Sequence, residues 1–406
     1  MGQLYKNKLI RTSTIPLSLN LLLRGQLSFL NQYYDVIGVS SSGEELELVK
    51  NREKIRTKRI NIKREISLLN DIRSLFVLYV FFRKEKPLIV HSITPKAGLL
   101  SMIAAKMAGI PIRIHTFTGL IFPSKKGILQ KILILMDRVL CKCATHIYPE
   151  GNGVKKDLIK YKITTKPLKV LANGNVNGID TSYFNPKAFS EIDKQELKSN
   201  LGIKSDDFVF IFVGRLVSDK GINELAETFN CLSQQYNHIK LLLVGPMEAD
   251  LDPLKDKTIN TINANNNIIT VGYQSDICPY LAIADALVFP SYREGFPNVV
   301  MQAGAMELPS IVTDINGCNE IIIEGENGVI IPVKNTKTLK EKMELFITDR
   351  TLLSKLKANA RQMITSRYEQ KVVWEALLAE YKSLESQCKM EALSFFNPAR
   401  ERQQNI

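Results

Sequence analysis

A carboxylate at the mouth of a buried strand is the first feature of this chain that could do chemistry. Residues 284–289 (ADALVF) form a run, apolar but for Asp285 and bounded by polar and turn residues, with the pattern of a strand covered on both faces. Glu294 follows in a turn with Gly295, Phe296 and Pro297. Asn298 offers an N-cap, and residues 299–306 carry helical apolar spacing. A second buried strand is expected at 310–312, then a Gly-containing loop ending in Asn319-Glu320. An acid is thereby set ahead of a helix whose first amide groups lack intrahelical partners, and such an end attracts anions. Open α/β sheets hold ligands at the carboxyl ends of their strands. The chemistry implied is recognition of an anionic ligand with a hydroxyl-rich part.

A second constellation has the same placement. Val213-Gly214-Arg215-Leu216, then Asp219-Lys220-Gly221, runs from a strand end into a helix. Glycine lets backbone approach a phosphate, arginine grips it bidentately and lysine adds a point charge. The plain alternative is two surface cations at a helix start, although Lys220 would oppose the helix dipole there unless an anion sits beside it.

The elements that must position these residues alternate along the whole chain. Strand candidates at 9–12, 35–40, 88–91, 112–115, 146–148 and 168–171 interleave with helix candidates at 17–31, 65–84, 95–107, 127–143 and 154–161. The pattern restarts after a charged helical bridge at 186–201, with strands at 208–213, 239–244 and 268–271 ahead of the central stretch. Such alternation implies α/β architecture with parallel sheets covered by helices. Two Rossmann-like domains facing each other across a cleft are expected, at 1–185 and 186–366, followed at 367–406 by a closing helix (369–384) and a fraying tail from 392.

Composition narrows the classes. The longest wholly apolar run, residues 75–82, is far short of the ~18 residues a membrane span needs. The six cysteines have no C-x-x-C spacing and fit reduced thiols in a cytoplasmic protein. The four histidines have no zinc spacing, and neither a P-loop nor a G-x-G-x-x-G after a strand is present. Asp250-Leu251-Asp252 is a D-x-D of the kind that binds metals, but so short an acidic pattern is common by chance. Residues 1–170 hold 30 Lys+Arg against 11 Asp+Glu, densest at 50–64, while the remainder is net acidic. A basic first half suits an anionic partner or is simply a solvated face.

The run E-G-F-P-N-V-V-x-x-A, placed after a strand and before L-P and a Thr-Asp loop, resembles glycosyltransferase family 4, the group 1 glycosyltransferases. That family carries Glu-x7-Glu on a GT-B fold. The resemblance implies a retaining, metal-independent transferase of hexosyl type that takes a sugar from a nucleotide-diphosphate sugar, UDP-linked by expectation. Glu294 would touch the donor sugar, and Arg215, Lys220 and Gly214 would hold its diphosphate. Gly295, Phe296 and Asn298 would shape the donor pocket. The second Glu position is Gln302, which can still hydrogen-bond ribose hydroxyls. Family members often place a histidine at the position of Thr118; here His115 lies three residues earlier, facing either a ligand or the core. Gly174-Asn175-Val176-Asn177-Gly178-Ile179-Asp180 is similar to the family's N/S-G-I-D segment, or is a plain turn. Glu307 stands where relatives have a helix-ending glycine.

Within the family the likeness is to enzymes building bacterial surface polysaccharide on a polyprenyl-diphosphate carrier. It implies a lipid-linked saccharide acceptor, no cofactor, no metal and no nucleic acid. The amphipathic stretch 128–141 would either dock on an anionic inner leaflet or pack on the sheet. Two rivals stay open: another nucleotide-sugar enzyme of this fold, such as an epimerase or glucan synthase, and a basic nucleic-acid-binding protein. The second lacks a recognition helix or aromatic stacking pattern.

Overall fold

Six strands of the first half, β1 (Lys8–Thr12), β2 (Asp35–Ser40), β3 (Arg56–Arg59), β4 (Ile89–Ser92), β5 (Ile112–Phe117) and β6 (His146–Pro149), pair in parallel in the order β3-β2-β1-β4-β5-β6. Six more, β7 (Phe208–Val213), β8 (Ile239–Val244), β9 (Ile268–Gly272), β10 (Ala286–Phe289), β11 (Ser310–Thr313) and β12 (Gly328–Ile331), form a second parallel sheet, β12-β11-β10-β7-β8-β9. This computed structural model describes residues 6–63, 65, 67–248 and 252–396. The chain divides into two units, Met1–Gly178 with Lys371–Ile406, and Ile179–Gln370. The divisions therefore fall after 178 and 370, where the sequence suggested 185 and 366.

In the second unit the central strand β7 reads FVFIFV, and every residue of it is buried. A parallel sheet with helices on both faces has no solvent side, so its middle strands are apolar throughout rather than alternating. In the first unit, the closing helix Gln370–Phe396 lays Leu377, Leu378, Tyr381 and Leu384 into one cluster with Leu9, Val36, Ile89 and Ile114. The helix outruns the expected end at 384; of the tail expected to fray, residues 397–406 lie outside the described residues.

Several expected boundaries differ for local reasons. The single helix expected at 17–31 is two, Pro16–Leu22 and Gln26–Asn31, broken at Gly25 with φ +79°. A Cβ at Gly25 would stand 2.6 Å from the Trp374 ring, so the break is where the closing helix presses in. The strand expected at 168–171 is one isolated bridge, Leu168 to Ile147. The helix Glu44–Glu53 and the edge strand β3, lying in and around the basic segment, went unforeseen because β3 (RTKR) is mostly exposed and has no apolar face. Pro297, not Asn298, occupies the N-cap of the helix Asn298–Ala305.

Glu307 closes that helix in the left-handed region at φ +65°, where its amide reaches the Gly304 carbonyl at 3.0 Å. A side chain in this pose costs about 1 kcal/mol. Glu307→Gly is expected to raise the unfolding free energy of this unit by about that amount, read from denaturant midpoints at unchanged slope.

Candidate functional site

Three glycines set the frame of the site in the second unit. Gly214, after β7, has φ +149°, and its amide donates to the Val244 carbonyl at 2.9 Å. Gly221, φ +74°, ends the short 3-10 turn Ser218–Lys220; a Cβ there would lie 2.2 Å from the Pro290 carbonyl oxygen. At Gly317, φ +76°, a Cβ would lie 2.6 Å from both the Gly295 carbonyl oxygen and the Phe296 Cα. The loops after β7, β10 and β11 are thus pressed backbone to backbone at the carboxyl ends of their strands. Lys220 and Glu294 are fixed opposite one another, although 74 residues separate them.

Lys220 Nζ donates to Glu294 Oε1, and both side chains are mostly buried. The hydroxyl of Ser291, itself buried, donates to the same oxygen at 2.9 Å. Thr313 Oγ1 in turn donates to the Ser291 carbonyl, which ties the acid to β11. Behind the pair lies Cys318, whose thiol is pushed well up by burial and by the facing Glu294 charge. Phe296 is buried against the Tyr368 ring at 5.5 Å, so it shapes the loop from beneath. Asn298 and Gln302 lie one turn apart on the helix Asn298–Ala305, both half-buried.

The remaining charges are paired as well. Arg215 Nη1 donates to Glu248 Oε2 at 2.8 Å, and Arg293 Nη2 to Asp219 Oδ2 at 2.9 Å. Lys220 heading a helix is thus explained: its partner is the Glu294 carboxylate, leaving a ligand anion to join or displace it. Sequence reasoning missed Ser291, Glu248 and Arg293; only the Ser and Arg flanking Glu294 in P-S-Y-R-E-G gave a signal. On the expectation that Arg215 grips a diphosphate, Glu248 competes for the same guanidinium. Glu248→Gln is therefore expected to tighten nucleoside-diphosphate binding about 2–5-fold, the worth of an exposed ion pair, in a calorimetric titration.

The candidates of the first unit fare differently. His115 is buried on all sides, its Nδ1 hydrogen-bonded with Ser92 Oγ at 2.7 Å and its ring edge-on to Phe117 at 4.5 Å. Burial holds its pKa down to about 3, so the ring is neutral. The pleat of β5 turns His115 and Phe117 toward the helix Pro95–Met107, where a Cβ on Gly98 would strike the imidazole at 2.5 Å. Of the two facings that the sequence left open for His115, the structure has the one toward the core. Thr118 is half-buried, and its hydroxyl donates to the Ile93 carbonyl at 3.0 Å.

Of the D-x-D, Asp250 and Leu251 lie outside the described residues. Asp252 accepts from the Asp219 amide at 2.6 Å. Asp206, Asp207 and His238 come together closely enough to hold a cation, but at the amino ends of β7 and β8, opposite the end that carries Lys220 and Glu294.

Residues 193–363 match the family model described as glycosyl transferases group 1, and residues 20–149 match glycosyl transferase 4-like. The capsular polysaccharide biosynthesis glycosyltransferase CapM of Staphylococcus aureus is 34% identical, over 89% of this chain and 93% of its own. The chain belongs to the group 1, family 4 glycosyltransferases. A second relative in this family, the UDP-Gal:alpha-D-GlcNAc-diphosphoundecaprenol alpha-1,3-galactosyltransferase of Escherichia coli, is 32% identical over 75% of this chain and 78% of its own. Among solved structures, a glycosyltransferase from Rickettsia africae superposes with a TM-score of 0.77 at 20% identity, covering 93% of this chain and 98% of that one. Anabaena HepE, solved in complex with UDP, gives 0.77 at 18% identity, covering 93% and 100%. The fold is therefore GT-B, two Rossmann-like domains. Glu294 stands at the first position of the expected Glu-x7-Glu pattern and Gln302 at the second.

Proposed function

We propose that this glycosyltransferase moves a sugar from a nucleotide-diphosphate sugar, with UDP as the nucleotide, onto a polyprenyl-diphosphate-linked saccharide with retention of configuration. The observation that carries the reading is the Lys220–Glu294 pair, clamped by Ser291 at the carboxyl end of β10 and flanked by the Gly214-Arg215 turn. Glu294 holds hydroxyls of the donor sugar, and Gln302 those of the ribose. Gly295 and Asn298 supply backbone amides at the helix start. Arg215 and Lys220 meet the charge that develops on the leaving diphosphate, a preorganised electrostatic role. Two fixed cations suffice for that charge, so turnover is expected to survive a chelator. The acceptor class is supported by the diphosphoundecaprenol acceptor in the E. coli relative's name and by the capsular assignment of the staphylococcal one.

The deciding experiment follows nucleotide release from UDP-, GDP- and ADP-sugars with polyprenyl-diphosphate-linked saccharides as acceptors, with and without EDTA. Release from one donor, absent in Glu294→Ala, supports the reading. No release and no nucleotide binding with any donor would sink it.

Attachment to the inner face of an anionic membrane is supported by the helix Gly127–Cys143. It leaves Ile128 (77%), Leu129, Ile132 and Leu135 (61%) exposed along one side, amid Lys125, Lys126, Lys131 and Arg138. An apolar stripe rimmed by cations fits the boundary between acyl chains and anionic headgroups. Among the described residues no helix is long and apolar enough to cross a membrane. The protein is expected to sediment with phosphatidylglycerol vesicles and not with phosphatidylcholine ones. Ile128→Glu with Leu135→Glu should abolish that difference, and a protein indifferent to both lipids would contradict the attachment.

A further inference from the structure

The loop carrying Lys220 and the loop carrying Glu294 are joined, among the described residues, by two ion pairs of reversed polarity. Lys220 holds Glu294, and one residue earlier on each loop Asp219 Oδ2 accepts from Arg293 Nη2 at 2.9 Å. The first pair is mostly buried, whereas the Arg293 side chain is 55% exposed and that of Asp219 24%. A donor that draws Lys220 to its diphosphate and Glu294 to its sugar weakens the hold of those two groups on one another. The loops then need a second tie.

Asp219 is placed to provide it. Its carbonyl accepts from the Tyr292 amide at 2.8 Å, and its amide donates to Asp252 Oδ2 at 2.6 Å. Asp252 belongs to the loop after β8, so three loops meet at this residue. Tyr292 in turn donates its hydroxyl to Glu224 Oε2 at 2.6 Å, on the helix Ile222–Ser233. Asp219 Oδ1 is buried and has no hydrogen-bond partner among the described residues. One side of the carboxylate is thus shut off from water, which strengthens its attraction to Arg293. The pair is neutral as a whole, so it ties the loops without adding charge beside a diphosphate.

We infer that Asp219 and Arg293 are positioning residues, whose ion pair holds Lys220 and Glu294 at their places in the site while a ligand occupies both. This role rests on the use of Lys220 and Glu294 proposed above. A plain field effect on the bound anion differs from it in sign. Through the field alone, neutralising Asp219 tightens a diphosphate, neutralising Arg293 loosens it, and the two changes cancel in the double variant. With a brace, either loss loosens it, and the double variant loses no more than one of them because the tie is broken only once.

Calorimetric titration with UDP, GDP and ADP distinguishes the two. Asp219→Asn, Arg293→Gln and the double variant should each bind the preferred nucleotide about 3–5-fold more weakly, the upper worth of a half-exposed ion pair. Arg293→Lys should recover most of the affinity. Opposite shifts in the single variants, or natural affinity in either single or in the double variant, would overturn the brace and leave the proposed roles of Lys220 and Glu294 standing. A natural chain that binds none of the three nucleotides would remove those roles, and the brace with them. Should Asp219→Asn fail to fold, crystals of Arg293→Gln with the nucleotide decide. Residues 219–220 should be displaced from their place in the natural complex, and superimposable loops would overturn the role.

Discussion

Lys220→Ala is expected to lower kcat/KM for the nucleotide-sugar donor about 10²–10³-fold, the usual loss when one preorganised group facing a developing anion is removed. Lys220 touches Glu294, so two explanations of the loss must be separated. If Lys220 only positions the acid, its removal should cost nothing further once Glu294 is already alanine. If it meets the diphosphate itself, the two losses should multiply, and the double variant should fall well below either single one. Binding of the free nucleoside diphosphate gives an independent readout. It should weaken in Lys220→Ala and change little in Glu294→Ala, because under the proposed function the acid holds the sugar and not the phosphates. Glu294 would be left with Ser291 alone beside the buried Cys318, so the variant's circular dichroism and melting curve must match those of the natural chain before the kinetics are read. A loss under 5-fold in a folded Lys220→Ala would remove this lysine from the chemistry.

What the sequence disclosed and what it hid follow from the range of the interactions involved. Strands such as β7 and β10 were legible because a strand buried on both faces must be apolar throughout, and FVFIFV and ALVF are. Gly214, Gly221 and Glu294 were legible because close backbone approach and a lone acid at a strand end each leave a local mark. The partners were not. Glu248 lies 33 residues from Arg215, and Asp219 lies 74 from Arg293; no periodicity links them, and only the stacking of loops at one sheet edge brings them together. The facing of His115 was hidden for another reason. A histidine at a strand end faces ligand or core according to the phase of the pleat, and a run as short as I-R-I-H leaves that phase undetermined. Arg11 was hidden in the same way: a polar residue in an apolar strand could be an edge, an error of register or, as found, a buried charge.

Gly245→Ala should be the most damaging single-methyl change in the second unit. Gly245 follows β8 as Gly214 follows β7, and the two turns lie side by side, with the Gly245 amide donating to the Gly272 carbonyl at 2.8 Å. A Cβ at Gly245 would stand 1.9 Å from the Gly214 carbonyl oxygen and 2.7 Å from its carbon. Both atoms are backbone, so no rotamer can relieve the overlap. The native φ of +144° adds strain for any side chain. Overpacking and backbone strain each cost about 1–3 kcal/mol, so a loss of about 3 kcal/mol or more is expected. Gly325→Ala is the control: it has φ +75° in the same unit, with nothing within 4 Å of a new Cβ. It should lose only the left-handed penalty, about 1 kcal/mol. The difference between the two variants measures the clash together with the extra strain of φ +144° over φ +75°, and a difference below about 0.5 kcal/mol would mean that the loops yield. The clash also has a functional direction. Relief requires the Gly214 carbonyl to move, and Arg215 is the next residue, so whatever Gly245→Ala retains of its fold should bind nucleoside diphosphate more weakly, while Gly325→Ala binds it as the natural chain does.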